Sequence, residues 1–266
     1  MTRKFLLIVL SLGYMTVKAQ NPDFPQNVTS FTLNAPQLGG ERKVWVYLPD
    51  NYKEASDKFP VIYMHDGQNL FNSFNAYAQE WYIDEKLDSL NAKCIIIGIE
   101  HGGDKRPDEL APYKNDKFGG GDADAYLDFL VNDVKPYVDG HYNTLKDKNN
   151  TTIFGSSLGG LVSFYAVLKY PKVFGKAGVF SPSFWFNPEI YDLVHDTEKI
   201  DAKIYFMAGD HESSDMVSDM ERMEELIKPK LKSKKHFYKK IVHNGRHNEK
   251  LWANEFDDAY LWLMEN

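Results

Sequence analysis

Residues 151–159 read Thr151-Thr152-Ile153-Phe154-Gly155-Ser156-Ser157-Leu158-Gly159, and a helix-like run follows from Gly160 to Tyr170. A short β-prone run, a turn with glycine at both ends and then a helix make the strand–turn–helix setting of a G-x-S-x-G nucleophile elbow. The central serine of such a turn takes a strained backbone that projects its hydroxyl. The flanking glycines are required because a Cβ would collide across so tight a bend. Ser157 is therefore the candidate nucleophile. Ser156 occupies the variable position and should point away from any base. The bland alternative is a Gly/Ser-rich turn that merely joins two elements, and what decides between them lies farther along the chain.

A serine nucleophile on a sheet of this kind is followed in the chain by an acid and then a histidine. Both come in that order. The strand-like run Lys203 to Ala208 breaks into Gly209-Asp210-His211-Glu212, and the strand His236 to Val242 ends in His243-Asn244-Gly245-Arg246-His247-Asn248. Loops that follow strands are where a parallel sheet presents its catalytic groups. In such a set the imidazole takes the serine proton, and the carboxylate fixes the tautomer and stabilises the imidazolium. The acid is either Asp210 or Glu212. His247 is the candidate base, while His243, at the strand end, is expected to pack and His211 to be an exposed loop residue.

The chain has 266 residues, 43% of them hydrophobic, enough for the core of one α/β domain. Its opening, Met1 to Gln20, has a basic start at Arg3 and Lys4, an apolar centre from Phe5 to Leu12 and a cleavage pattern at Val17-Lys18-Ala19. Residues 1–19 are thus read as a signal peptide and 20–266 as a single domain, secreted or periplasmic. The apolar stretch is too short to span a bilayer, so no stable membrane insertion is expected. Cys94, the one cysteine, lies in the run Cys94 to Ile99, reads as a buried small hydrophobe and excludes an intramolecular disulfide. A formal charge of −7 argues against a nucleic-acid partner, which needs clustered Lys and Arg. The basic cluster Lys228 to Lys240 straddles a helix end and a strand start and reads as a solvated face. The pairs His65-Asp66 and His211-Glu212 lack zinc-site spacing, so no metal and no cofactor is expected.

Val28 to Leu33 and Lys43 to Leu48 read as a strand pair joined at Gly39-Gly40. Strands and helices alternate from there. Strands are expected at Pro60 to Met64, Cys94 to Ile99, Ala177 to Phe180, Ile204 to Ala208 and Phe237 to Val242, besides the one before Gly155. Helices are expected at Glu80 to Leu90, Ala123 to Val138, Ser214 to Lys228 before Pro229, and Leu251 to Met264. Continuous apolar strands between helices imply a mainly parallel twisted sheet, with the N-terminal pair antiparallel and helices on both faces. The stretch Asp116 to Asp124, with Gly119-Gly120-Gly121, reads as flexible and as a border of the site.

With these residues in view, the chain resembles the "Putative esterase" family of α/β-hydrolases, which includes feruloyl and acetylxylan esterases, enterochelin-type esterases, S-formylglutathione hydrolase and mycolyltransferases. The resemblance is carried by Val46-Tyr47-Leu48-Pro49, Tyr63-Met64-His65-Asp66-Gly67-Gln68-Asn69, Gly155 to Gly160, Gly209 to Glu212, and Gly245-Arg246-His247-Asn248 with Trp252. It implies the α/β-hydrolase fold and an oxyanion hole built from the backbone N–H groups of Leu158 and Gln68, donors that need not reorient. It also favours Glu212, three residues after Gly209, as the acid, with Asp210 as the alternative. His65, Arg106 and Glu109 resemble rim positions. Trp81, Phe184, Trp185 and Phe186 are expected to face the pocket, with Trp185 and His65 touching substrate. The function implied is hydrolysis of a carbohydrate-linked acyl ester (acetyl or feruloyl) or a siderophore lactone. An acyltransferase of the same fold and a non-catalytic carbohydrate- or siderophore-binding module are the alternatives. The oligomeric state is left open.

Overall fold

In this computed structural model, residues 25–50, 52, 57–76 and 79–265 are described. The expected signal peptide, residues 1–19, lies outside them. Eight strands of the described residues form one sheet: β1 (Val28–Ala35), β2 (Gly40–Tyr47), β3 (Val61–His65), β4 (Ile95–Ile99), β5 (Thr151–Ser156), β6 (Lys176–Phe180), β7 (Lys203–Gly209) and β8 (Phe237–Val242). Their order is β1-β2-β4-β3-β5-β6-β7-β8. β1 pairs antiparallel with β2, and β2 antiparallel with β4; every later pair is parallel. This is the α/β-hydrolase arrangement, and the observed strands lie within a few residues of those expected.

Successive residues of a strand face opposite sides, so one apolar run serves two cores. Ile95, Ile97 and Ile99 of β4 enter one cluster with Tyr63, Ile153 and Phe206, whereas Cys94 and Ile96 enter the other with Ile62, Phe154 and Tyr205. Among the described residues eight α-helices accompany the sheet: α1 (Ile83–Ser89), α2 (Arg106–Leu110), α3 (Ala123–Phe129), α4 (Lys135–His141), α5 (Leu158–Lys169), α6 (Glu189–Asp196), α7 (Met216–Ile227) and α8 (Glu249–Met264). The apolar residues of α3, α5, α6 and α7 fill the first core, and those of α1 and α8 the second. Among the described residues no helix is long and apolar enough to cross a membrane.

Three differences from the sequence reading have local causes. The helix expected over Ala123 to Val138 is divided by a π turn, Leu130–Val134, just before Pro136. Proline has no N–H and its ring crowds the carbonyl four residues back, and the wider turn absorbs both. The short helices α2 and α6 were not anticipated, since five and eight residues show too few periods of an apolar stripe to recognise. The basic cluster is exposed at Lys228, Lys232, Lys234 and Lys235, as a solvated face would be, but its strand end is paired internally. Lys239 and Lys240 point to opposite faces of edge strand β8, where Lys239 reaches Glu224 of α7 at 2.6 Å and Lys240 reaches Asp258 of α8 at 2.6 Å. Each lysine ties the edge strand to the helix covering its own side.

Candidate active site

Ser157 joins β5 to α5 with φ 60° and ψ −122°, a backbone that side chains avoid unless the surroundings impose it. Its N–H donates to the Phe180 carbonyl at 2.9 Å, and its own carbonyl accepts from Leu161 at 3.0 Å. A Cβ on Gly155 would stand 2.7 Å from His65 Cδ2 and 2.8 Å from the Gly159 carbonyl carbon. The expected reason for that glycine therefore holds in detail. Ser156 is buried, 4% exposed.

Ser157 Oγ lies 3.0 Å from His247 Nε2, and His247 Nδ1 lies 2.7 Å from Glu212 Oε2. An ionised carboxylate only accepts, so Nδ1 carries the imidazole proton and Nε2 is left to accept from the serine hydroxyl. The Glu212 side chain is 1% exposed. Its other oxygen, Oε1, accepts from Gly209 N at 2.6 Å and from Ser181 Oγ at 2.7 Å. Ser181 accepts in turn from Trp252 Nε1 at 2.8 Å, and the Trp252 ring stands edge-on to His247 with centroids 4.9 Å apart. Asn248 caps α8, its Oδ1 accepting from Leu251 N at 3.0 Å, which fixes where that helix presents Trp252.

The two loops meet because glycine faces glycine. A Cβ on Gly209 would come within 2.2 Å of the Gly245 carbonyl oxygen, so no side chain fits where the end of β7 crosses the loop after β8. His211 N donates to that same carbonyl at 3.0 Å. Asp210 turns away from His247. It accepts from Asn244 N at 2.7 Å and lies 2.6 Å from His211 Nδ1 and 2.9 Å from His243 Nδ1. Hydrogen bonds from these two imidazoles hold its carboxyl down at about 2. His243 corrects the expectation of a packing role: its side chain is 82% exposed, because β8 is the sheet edge and the loop beyond it leaves the core.

On the other side of Ser157, the segment after β3 begins with Asp66 in the left-handed region, φ 55°. Arg106 grips it with two parallel bonds, Nε to Oδ1 at 2.6 Å and Nη2 to Oδ2 at 2.8 Å. Burial acts to raise the Asp66 carboxyl, but the Arg106 charge and hydrogen bonds outweigh it and hold the group below its usual range. Gln68 follows in a 3₁₀ turn, Gly67–Asn69, and Leu158 opens α5. Amides in a first helical turn have no intrahelical acceptor, so both positions suit an incoming oxyanion, and the positive end of α5 adds to the effect. Glu109 is not a rim residue: it is 3% exposed and pairs with Arg42.

A cavity of about 640 Å³ opens at Ser157, lined by Gln68, Trp81, His101, Arg106, His247 and Trp252 among others. His65 lies at its floor, 3% exposed, with Nδ1 2.7 Å from the Tyr126 hydroxyl. Burial pushes its imidazole down to about 4, leaving it neutral at pH 7. Trp81 faces this cavity as expected, but Phe184 does not. It is wholly buried against Phe164 and Phe206, because the 3₁₀ turn Phe184–Phe186 sends alternate rings inward. Trp185 is 51% exposed, edge-on to Phe118, and is not part of the lining of the Ser157 cavity. The Gly-rich stretch sits with Trp185 and Phe186 and is pinned where Gly120 N donates to Asp108 at 2.7 Å. Ser181, Ser183 (Oγ 3.3 Å from Ser157 Oγ) and Tyr126 were not anticipated, since serine and tyrosine carry no distinguishing local signal.

A family model described as "Putative esterase" matches residues 35–263. The protein YbbA of Bacillus subtilis strain 168 is 27% identical over 238 residues, covering 84% of this chain and 93% of YbbA. The siderophore triacetylfusarinine C esterase of Aspergillus fumigatus is 35% identical over 135 residues, 48% of this chain and 45% of that protein. Among solved structures, the enterobactin esterase FES from Shigella flexneri, crystallised with enterobactin, superposes with a TM-score of 0.73 at 18% identity, over 92% of this chain and 60% of that one.

Proposed function

The chain belongs to the "Putative esterase" family, and from that premise we propose that it is a serine carboxylic-ester hydrolase working through an acyl-enzyme on Ser157. One observation carries the reading: the continuous relay from Glu212 Oε2 through both nitrogens of His247 to Ser157 Oγ, with steps of 2.7 and 3.0 Å.

In the proposed reaction Ser157 Oγ attacks the ester carbonyl while its proton passes to His247 Nε2. The imidazolium so formed faces the Glu212 carboxylate, which stabilises it without taking the proton. The tetrahedral oxyanion is held by the amides of Leu158 and Gln68. Collapse expels the alcohol, which receives the proton from Nε2, and the acyl group stays on Ser157. Water, deprotonated by the same nitrogen, then releases the acid and restores the serine.

The acyl donor is a small molecule or a carbohydrate-linked ester. A siderophore lactone is supported by the names of two similar proteins, the triacetylfusarinine C and enterobactin esterases. The cavity of about 640 Å³, with Trp81 and Trp252 in its wall, would accept an aromatic or sugar-sized substituent. Residues 1–19 act as an export signal for a single domain, 20–266, that works outside the cytoplasm. N-terminal sequencing of protein exported by a bacterial host should start near Gln20; an intact Met1 chain in the soluble cytoplasmic fraction overturns this.

The test of the nucleophile is turnover by two variants together with covalent labelling. Ser157→Ala should lose several powers of ten in kcat, whereas Ser156→Ala should stay within about tenfold of the parent. A fluorophosphonate should label Ser157. Labelling at Ser156, or normal turnover by Ser157→Ala, refutes the assignment.

A further inference from the structure

The sheet has a second polar cavity, of about 440 Å³, at the ends of β6, β7 and β8 opposite to the end that carries Ser157. We propose that it is an anion site, taking a small tetrahedral oxyanion such as phosphate between Lys176, Lys203 and His236.

Lys176 opens β6 and Lys203 opens β7, and the two are direct partners in the parallel register. Their side chains therefore leave the same face of the sheet side by side. Like charges so placed repel, and a stable fold has to offset that. Lys203 is partly accommodated, donating to the carbonyls of Trp262 at 2.5 Å and Glu265 at 2.8 Å. Among the described residues none hydrogen-bonds to or ion-pairs with the Lys176 ammonium, although Asp147 attracts it without forming an ion pair. Burial, followed by the neighbouring Lys203 charge, holds the Lys176 ammonium below its ordinary range.

The third group is His236, which directly precedes the Phe237 that pairs with Ile204. It lines the same cavity, and its Nδ1 is buried with no hydrogen-bond partner among the described residues. A buried polar atom without a partner calls for a ligand, an ion or a water. The nearby acids do not fill that role. Asp201 is already engaged by Lys148 at 3.0 Å and Lys232 at 3.1 Å, and Glu265 acts on Lys203. An oxyanion with two charges would bridge Lys176 and Lys203 and accept from His236 Nδ1–H. Lys235, whose ammonium has no partner among the described residues, would close the open side.

The site lies away from Ser157, so its test does not depend on the ester reaction. Thermal unfolding and calorimetric titration of the full chain with inorganic phosphate are compared with sodium chloride at matched ionic strength. Phosphate at ten times its Kd should raise the folded-to-unfolded ratio about 11-fold, and Tm with it. Sulfate should act similarly and acetate should not. Lys176→Met keeps most of the aliphatic stem and removes the charge. It should raise Tm in phosphate-free buffer, by relieving the repulsion on Lys203, and lose the phosphate-specific rise. His236→Leu should weaken phosphate binding several-fold, with circular dichroism establishing that both variants fold. Equal effects of phosphate and chloride on the parent chain, or a full phosphate response in Lys176→Met, overturn the proposal.

Discussion

Replacing Glu212 by Gln tests the relay at its most constrained point. Oε1 of Glu212 accepts two donors, the Gly209 amide and the Ser181 hydroxyl, while Oε2 faces His247 Nδ1. Glutamine has one oxygen and one NH₂. The Gly209 N–H cannot reverse, so the oxygen must take the Oε1 place and the NH₂ must point at His247. Nδ1 then becomes an acceptor, the ring proton moves to Nε2, and Nε2 can no longer accept from Ser157 Oγ. The fold is untouched, but the imidazole is in the wrong tautomer and has lost its counter-charge. An equivalent Asp→Asn change in another serine triad costs ~10⁴ in kcat, which is ~5 kcal/mol of transition-state stabilisation. Asp210→Asn should cost less than about threefold, because among the described residues the Asp210 carboxylate bonds only to His211, His243 and the Asn244 amide. The assay is kcat for both variants on an activated acetyl ester, with Tm and circular dichroism as folding controls. A folded Glu212→Gln variant within tenfold of the parent, or a crippled Asp210→Asn, refutes the reasoning.

Gly155→Ala should destabilise by about 1–3 kcal/mol, since the new methyl meets His65 Cδ2 at 2.7 Å and the Gly159 backbone at 2.8 Å. Differential scanning calorimetry should show Tm lower by roughly 2–10 °C, with turnover reduced as the elbow shifts; an unchanged Tm contradicts it. Asp84, 2% exposed, has its carboxyl pushed up to about 6, first by burial. A folded value above the unfolded one means its contribution is fully present below about pH 4 and is lost as pH rises through about 6. Asp84→Asn should therefore gain stability relative to the parent by ~1–2 kcal/mol at pH 8 and almost nothing at pH 4, the figure allowing for solvent screening. Urea titrations at the two pH values check this, and an equal effect at both removes the basis for it.

The fold was legible because its signals are local. A strand such as Cys94 to Ile99 declares itself by continuous apolar character, and the elbow by two glycines between a strand and a helix. Even the π turn before Pro136 had a local cause, a missing N–H, that could have been read from the chain. The acid is a different matter. Asp210 and Glu212 share one loop and differ by a single methylene, so composition and spacing left both open and only a family likeness leaned toward Glu212. What separates them is a contact between backbones far apart in sequence. Gly209 and Gly245 touch without side chains, and that crossing turns Asp210 outward to His243 while Glu212 faces His247, 35 residues away. The same applies to Ser181 and Trp252, 71 residues apart, which hold the buried carboxylate and the imidazole edge. Sequence determined which segments become strands, helices and the elbow, because those follow from backbone sterics and apolar periodicity within a few residues. Tertiary structure alone decided which carboxylate meets which imidazole, because a hydrogen bond of 2.7 Å depends on how separate loops cross, and no local pattern encodes that distance.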